Sequence, residues 1–300
     1  MSTRLPTEAP RPGAAAELPA SLRLGSVHIV VADLDRSVGW YQDVLGLRVH
    51  GAPGGGPAAL GTGDGEPVLV LHERPGARPA GRHAGLYHYA LLYPSREELA
   101  RAALRLSAAR VPVDGLSDHE THEAIYLSDP DGNGIELAAD RPREQWPPSL
   151  GYAGGPKPLD VAALMATIEG EEPRRQAGPG LAVGHLHLHV GDVDVGLAFY
   201  RDVIGFALMA RIGDSAAFVA AGGYHHHLGF NVWRGRGVPP VPPDAVGLHH
   251  WTVVLDDAAS VAAVRERAEA AGAPVERDGD GPAFTVHDPW GMALRFEVAA

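Results

Sequence analysis

Histidine is the residue type in this sequence best suited to chemistry. The chain has 16 histidines and no cysteine, so a metal could be bound only through histidine, aspartate or glutamate. His185, His187 and His189 alternate along one short segment, and alternate residues of a strand lie on the same face. In a purely structural strand that face would be apolar. Together with the consecutive histidines at 225–227, this pattern favours a metal site.

The elements that would carry these histidines belong to an internal repeat. The segment DLDRSVGWYQDVLGLRV from Asp33 matches DVDVGLAFYRDVIGFAL from Asp192, with an offset of 159 residues. GLYHYALLY from Gly85 similarly matches GLHHWTVVL from Gly247. The two halves of the chain are therefore predicted to be copies of one fold.

Each half also divides into two quarters with the same order of elements. Strands are predicted to start near residues 27, 85, 184 and 247. A helix with an Asp or Ser at its start follows each strand, and short strands separated by Gly, Pro and Asp turns come next. The sequence therefore predicts an α+β protein of four βαβββ modules, two in each half.

Composition divides the chain into four parts. Residues 1–22 are rich in Ala and Pro and are interpreted as a disordered arm. Residues 23–140 and 181–300 are the two domains, each with two modules. Residues 141–180 are proline-rich at first and then show a short helical pattern, so we interpret them as a linker with a short helix.

Charge and hydropathy exclude several functions. The net charge is −12 and the chain has a single lysine, Lys157, which argues against nucleic acid or an anionic membrane as a partner. No segment approaches the roughly 20 apolar residues of a membrane helix. Residues 1–22 also lack the apolar stretch of a signal peptide. We therefore expect a soluble cytoplasmic protein.

These features resemble the vicinal oxygen chelate superfamily, whose domains consist of paired βαβββ modules. Within it, the chain resembles the type I extradiol dioxygenases that act on catechols. The resemblance covers residues 24–140 and 181–299, and its specific motifs are AIYLSDPDGNGIELAADRPR, GHLHLHVGDVDVGLAFYRDVIGF and GGYHHHLGFN. It implies two tandem domains whose modules curl around a metal, and a protein that associates with itself.

The resemblance implies one metal ligand on a first strand, seven residues before the Asp that follows that strand. In the first quarter this position is Ser26, which cannot bind a metal. In the third quarter it is His185. His187 and His189 lie on the same face, and either could be the ligand instead.

The other ligands are implied in the second quarter. His88 occupies the matching strand position, and Glu136 stands seven residues after Asp129. In the fourth quarter His250 matches His88, but Arg295 stands where Glu136 does in the second. His250 with Glu297, two residues beyond that arginine, is therefore the second choice.

Catalytic residues follow from the same resemblance. Tyr126 stands ten residues before Glu136, where relatives have a tyrosine that binds the substrate. His226 matches the general acid/base histidine, and His119 is a further hydrogen-bonding histidine. Because these residues lie in the second and third modules, we expect these two modules to share one cavity; relatives often pair the third with the fourth.

The implied reaction is extradiol cleavage of catechol or a substituted catechol by dioxygen. Iron(II), or alternatively manganese(II), would be bound by two histidines and one carboxylate, which leaves positions for the diol and dioxygen. The product would be a 2-hydroxymuconic semialdehyde. Two alternatives remain open: a glyoxalase-like lyase with four protein ligands, and a metal-free protein that binds small molecules.

Overall fold

The computed structural model describes residues 17–50, 56–63, 65–152 and 154–299, which form two mixed β-sheets and several short helices. The first half contains β1 (Arg23–Val31), α1 (Leu34–Trp40) continued by a π-helical segment (Tyr41–Leu45), β2 (Arg48–His50), β3 (Ala58–Gly61), β4 (Leu69–Glu73), β5 (Gly85–Tyr93), α2 (Arg96–Ala108), β6 (Gly115–Asp118), β7 (His122–Ser128) and β8 (Gly134–Asp140). The middle of the chain contains a 3-10 helix (Arg143–Gln145), β9 (Lys157–Pro158) and α3 (Val161–Ala166).

The second half repeats the order of the first. It contains β10 (Ala182–His189), α4 (Val193–Leu197) continued by a π-helical segment (Ala198–Ile204), β11 (Ala207–Ile212), β12 (Ala216–Ala220), β13 (Leu228–Asn231), β14 (Gly247–Leu255), α5 (Ala258–Ala270), β15 (Val275–Arg277), β16 (Phe284–His287) and β17 (Ala293–Val298). The predicted α+β class and the four βαβββ modules are confirmed. No helix among the described residues is long and apolar enough to cross a membrane.

Each sheet combines one module from each half of the chain. The first sheet has the order β15-β16-β17-β14-β1-β4-β3-β2, and the second has the order β11-β12-β13-β10-β5-β8-β7-β6-β9. The first module therefore pairs with the fourth, and the second pairs with the third. At each seam the first strands of two modules are antiparallel neighbours, β1 with β14 and β5 with β10. The expectation that the second and third modules lie side by side is confirmed.

The structure changes the interpretation of the arm. Leu18 and Leu22 are buried, and the backbone N–H of Leu18 donates a hydrogen bond to the carbonyl of Gly205 at 2.8 Å. The described residues 17–22 are therefore packed against the protein, and the disordered arm does not extend through them. Residues 1–16 lie outside the described residues.

The linker between the two halves of the chain also contributes a strand to the second sheet. β9 pairs with the outer strand β6, and Leu164 of the predicted short helix is fully buried. The guanidinium of Arg96 on α2 also donates to the carbonyl of Ala163 at 3.3 Å. Strand β9 and helix α3 of the linker are thus held against the second module.

A repeated tyrosine–aspartate hydrogen bond joins the two sheets. The hydroxyl of Tyr41 donates to Asp129 at 3.0 Å, and the hydroxyl of Tyr200 donates to Asp288 at 2.8 Å. Both tyrosines are fully buried. Since Tyr41 follows α1 of the first module and Asp129 follows β7 of the second, each bond connects modules that belong to different sheets.

Because of the Asp288 carboxyl, we expect the free energy of unfolding to depend on pH. Burial raises its pKa to about 6, although hydrogen bonds from Tyr200 and two backbone N–H groups oppose the rise. Between about pH 4 and 6 the folded state therefore retains a proton that the unfolded state releases, so this group's contribution to stability falls as pH rises. Asp288→Asn removes the ionisation. We expect its unfolding free energy, relative to wild type, to increase by about 3 kcal/mol from pH 4 to 7 in urea titrations.

Asp192→Asn is the matched control for this experiment. Asp192 is exposed and accepts a hydrogen bond from the backbone of Val195 at the start of α4. Asparagine caps helices as well as aspartate does, so Asp192→Asn measures the effect of the same substitution at an exposed position. A difference between Asp288→Asn and wild type that does not change with pH would contradict the assignment.

Candidate metal centre

Three neighbouring strands of the second sheet bring the predicted ligands together. His88 lies on β5, and Ala90 follows it on the same face of that strand. Ala90 pairs with His185 of β10 on one side and with Glu136 of β8 on the other. Because the side chain of Ala90 is small, the three donor side chains can face one point above it.

The two imidazoles converge on one carboxylate oxygen. Nε2 of His88 and Nε2 of His185 each lie 3.1 Å from Oε2 of Glu136. The two ring planes are 73° apart, so the nitrogen lone pairs point inward from different directions. The three side chains are 8%, 2% and 1% exposed. Two imidazoles and one carboxylate on one face are the donor set that non-haem iron(II) prefers.

The carboxylate of Glu136 has an oxygen that the protein does not satisfy. Its Oε1 is buried and accepts no hydrogen bond, although Nε2 of His122 lies 3.1 Å away. A buried carboxylate oxygen without a partner is unfavourable, and a bound cation would compensate its charge. The residues present therefore fit a divalent metal ion.

The protonation states also suit metal binding. Burial opposes the charged form of Glu136, but the electrostatic influence and the hydrogen bond of His185 hold its pKa well below the usual value. Burial lowers the pKa of His185. An ionised carboxylate and a neutral imidazole are the forms that bind a metal.

A second group of donors beside this one is less suitable. His119, His122 and Glu136 bring their donor atoms within 4.8 Å of one another. The rings of His119 and His122, however, are stacked 4.5 Å apart with only 13° between their planes. The lone pairs of stacked rings lie in two parallel planes that do not meet, so these two imidazoles do not converge on an ion as His88 and His185 do.

The second choice of ligands does not form a site. His250 pairs with Ala293 on β17, whereas Glu297 pairs with Val254, so His250 and Glu297 are separated by four strand positions, or roughly 13 Å. Glu297 instead accepts a hydrogen bond from Arg295. The arginine thus occupies the position of Glu136 and neutralises the nearby acid, and the combination of His250 with Glu297 is wrong.

The structure places the three predicted catalytic residues around the same donors. Tyr126 pairs with Glu136 across β7 and β8, and its hydroxyl lies 2.8 Å from Nε2 of His119. The ring of His226 lies 4.2 Å from the ring of His185. All six predicted site residues are therefore neighbours, and their roles in a reaction stay a prediction.

One missed residue comes from the linker. The hydroxyl of Tyr152 lies 3.0 Å from Nδ1 of His226 and 3.2 Å from the carbonyl oxygen of His225. Gly151, the residue before Tyr152, has a φ of 79°. It lies so close to His119 that a Cβ atom at this position would be 2.0 Å from the carbonyl oxygen of His119. Only glycine combines this conformation with this contact. In the sequence, the adjacent Gly151 and Tyr152 were the feature that could have indicated a linker residue at the site.

Other missed residues form a polar chain beside the donors. Nε2 of His225 lies 3.2 Å from Oδ1 of Asp140, and Nδ1 of His225 lies 2.9 Å from Nδ1 of His226. The ring of His122 stacks on His225 at 4.6 Å. Asp140 ends β8, four residues after Glu136, and β7 places His122 opposite it. The three consecutive histidines at 225–227 were visible in the sequence. That Asp140 and His122 lie beside them could not be predicted, because it depends on the pairing of β7 with β8.

The donors lie in a cavity of about 670 Å³. Its wall includes apolar and aromatic side chains as well as the histidines, among them Tyr87, Leu150, Ile212, Phe218 and Trp233. Such a cavity has the size and composition of a small-molecule site.

Comparisons with known proteins agree with this geometry. The chain matches the family described as the Glyoxalase/Bleomycin resistance protein/Dioxygenase superfamily over residues 23–137 and 182–296. It is 40% identical over 272 residues to a Bacillus subtilis (strain 168) protein named catechol-2,3-dioxygenase, an alignment that covers 89% of this chain and 93% of the relative.

Solved structures share the fold at low sequence identity. A proposed dioxygenase from Bacillus subtilis has a TM-score of 0.63 and 14% identity, with 95% of this chain and 86% of the other covered. Glyoxalase I from Zea mays has a TM-score of 0.57 and 19% identity, with 92% of each chain covered. At these identities the two structures show the fold alone.

The donor geometry predicts the effect of removing one ligand charge. Glu136→Gln keeps the shape of the side chain but removes the anion on which His88 and His185 converge. We expect its affinity for iron(II) or cobalt(II) to fall at least about a hundredfold. Anaerobic titration of metal-free protein, followed by cobalt(II) absorption, measures this directly. Glu297→Gln is the matched control, and equal affinities of the two variants would contradict the site.

Proposed function

This chain belongs to the Glyoxalase/Bleomycin resistance protein/Dioxygenase superfamily, and we propose that it is an iron(II)-dependent extradiol dioxygenase. It would open the ring of catechol or a substituted catechol beside the diol and give a 2-hydroxymuconic semialdehyde. The observation that carries the proposal is the convergence of the buried side chains of His88 and His185 on Glu136 in the wall of a cavity. The relative named catechol-2,3-dioxygenase supports the same reaction.

His88, His185 and Glu136 would bind the metal on one face and leave the other face to ligands. Among the described residues, no fourth donor lies within 4.8 Å of all three, which favours this reaction over a lyase that needs four protein ligands. The bound metal would bring the diol and dioxygen together and lower the pKa of the diol. Manganese(II) accepts similar ligands, so it is the second metal to test.

His226 would take the proton of the substrate diol at its Nε2 atom. Burial opposes the charged form of Asp140, but hydrogen bonds from His225 and Tyr224 hold its pKa below the usual value. The ionised carboxylate can only accept, so Nε2–H of His225 donates to it. His225 is neutral, because burial lowers its pKa to about 3.

The state of His225 fixes the tautomer of His226. A neutral His225 whose proton is on Nε2 has a free lone pair on Nδ1, which accepts the Nδ1–H of His226 at 2.9 Å. The Nε2 atom of His226 is then unprotonated and can act as a base. The Tyr152 hydroxyl can donate to the carbonyl oxygen of His225 and so does not disturb this arrangement.

Tyr126 would steady negative charge on the substrate. Burial and the nearby charge of Glu136 raise its pKa well above the usual value, so its hydroxyl stays protonated. When Nε2 of His119 donates to Tyr126, the tyrosine proton is free to hydrogen-bond a substrate oxygen. The cavity wall would exclude water from this reaction.

Oxygen uptake tests the proposed reaction. Protein loaded anaerobically with iron(II) should consume about one dioxygen per catechol, as expected for a dioxygenase with an open iron site, and form a yellow product at the same rate. Manganese-loaded protein and the Glu136→Gln variant are assayed in parallel. Bound metal without uptake from catechol, alkylcatechols or acidic catechols would instead support a lyase. Failure to bind any metal would support a binding protein.

A second prediction concerns the positioning role of Asp140. In Asp140→Asn the amide can donate to Nε2 of His225, which moves the proton of that ring to Nδ1 and reverses the tautomer of His226. We expect kcat to fall at least about a hundredfold with a smaller change in KM, as loss of a general base does. Nitrogen-15 NMR of the imidazoles should show the altered tautomer in metal-free protein.

Tyr224→Phe provides the control for this variant. The Tyr224 hydroxyl donates to the other oxygen of Asp140 at 2.8 Å, so its removal leaves the carboxylate and its bond to His225 in place. Its kcat should stay within a few-fold of wild type. A similar loss of kcat in both variants, with no change of tautomer, would show that Asp140 has a purely structural role.

A further inference from the structure

The cavity contains an arginine that the proposed reaction does not use. Arg234 is the one Lys or Arg among the described residues of the cavity wall. It is half-buried, and its guanidinium donates one hydrogen bond, to the carbonyl oxygen of His83 at 3.3 Å. The two acids of the wall are occupied elsewhere: Asp114 accepts from Ser128, and Glu136 faces the histidines.

Arg234 differs from the arginines of this chain that have an acidic partner. Acids outnumber Lys and Arg by 37 to 25, and many arginines form ion pairs, including Arg101, Arg141, Arg211 and Arg295. Among the described residues no carboxylate lies within ion-pair distance of Arg234, and burial alone lowers its pKa. A partly desolvated cation without a counter-charge is unfavourable, and a bound anion would relieve it.

A second guanidinium approaches the same part of the cavity rim. A Cβ atom at Gly235, the residue after Arg234, would lie 3.2 Å from Nη2 of Arg82. Arg82 is exposed. The rim therefore has a local positive charge within an acidic protein, which would attract an anionic ligand.

Strand β10 leads from the metal donors towards Arg234. His185 and His189 are four residues apart on β10, or roughly 13 Å, and the charge of Arg234 acts on His189. Between these ends lies the ring of Tyr87, 4.8 Å from His88, 4.9 Å from His189 and 5.5 Å from Trp233. An aromatic wall thus runs from the metal donors to the arginine.

We propose that Arg234 binds a carboxylate of the substrate, and that the preferred substrate is a catechol with a short acidic side chain. The inference rests on the proposed function. The diol would lie at His88, His185 and Glu136, the ring and side chain would pack along Tyr87 and Trp233, and the carboxylate would accept hydrogen bonds from the guanidinium. Planar guanidinium and carboxylate groups match in such a pair.

The test compares 3-(3,4-dihydroxyphenyl)propanoate with its methyl ester, which has the same ring and chain but no charge. In iron-loaded wild type, kcat/KM for the acid should exceed that for the ester about tenfold to a hundredfold, the range of a charged hydrogen-bonded pair. Arg234→Ala should abolish this ratio, and Arg234→Lys should restore part of it. Arg236→Ala is the matched control, because Arg236 pairs with Asp214, and its ratio should equal that of wild type.

A binding measurement on metal-free protein separates this inference from the proposed function. Wild type should bind 3-phenylpropanoate, which has no diol, at least about tenfold more tightly than Arg234→Ala does in calorimetry. If this holds while no catechol is cleaved, the anion site stands and the reaction is wrong. If catechols are cleaved but acid and ester react equally, or Arg234→Ala changes neither the ratio nor the binding, the anion site is wrong.

Discussion

The candidate centre depends above all on the antiparallel pairing of β5 with β10. This seam joins the second module to the third, although a linker of some forty residues separates them in the chain. Its register places His185 beside Ala90, while the parallel pairing of β5 with β8 places Glu136 on the other side of the same alanine. A shift of one residue in either strand would turn its donor to the opposite face. The backbone hydrogen bonds of three strands therefore determine the geometry of the donors.

This geometry concentrates polar groups in the interior, where unpaired ones are unfavourable. The protein compensates by satisfying the imidazoles mutually: Asn231 lies between His187 and His189, and Asp140 accepts from His225. Burial lowers the pKa of His187 and of His226 well below the usual value, so the cluster avoids an accumulation of positive charge. Oε1 of Glu136, a buried atom of this cluster without a hydrogen-bond partner among the described residues, is located where a metal ion would provide compensation.

The internal repeat predicted the module order, and the resemblance to the extradiol dioxygenases implied the six site residues that the structure brings together. Pairing between modules is not local, and this explains what was missed. His122, Asp140 and Tyr152 acquire their roles only when β7 packs beside β8 and the linker crosses the cavity. The disordered arm was assigned from composition, which does not reveal that Leu18 and Leu22 find an apolar surface to cover. The prediction of His250 and Glu297 as alternative ligands was wrong because Arg295 donates a hydrogen bond to Glu297.

The two sheets show how one fold separates structure from chemistry. Positions that bear His185, Tyr126 and Glu136 in the second sheet bear Ser26, Thr285 and Arg295 in the first. The first sheet also clusters histidines at its seam, with the rings of His28 and His250 stacked 3.7 Å apart, yet no acid replaces Glu136 there. Imidazoles without a carboxylate do not form the two-histidine, one-carboxylate set, and an arginine opposes a cation. With serine at the position of His185 and arginine at that of Glu136, the first sheet lacks the donor set of the second, although the order of its elements is the same.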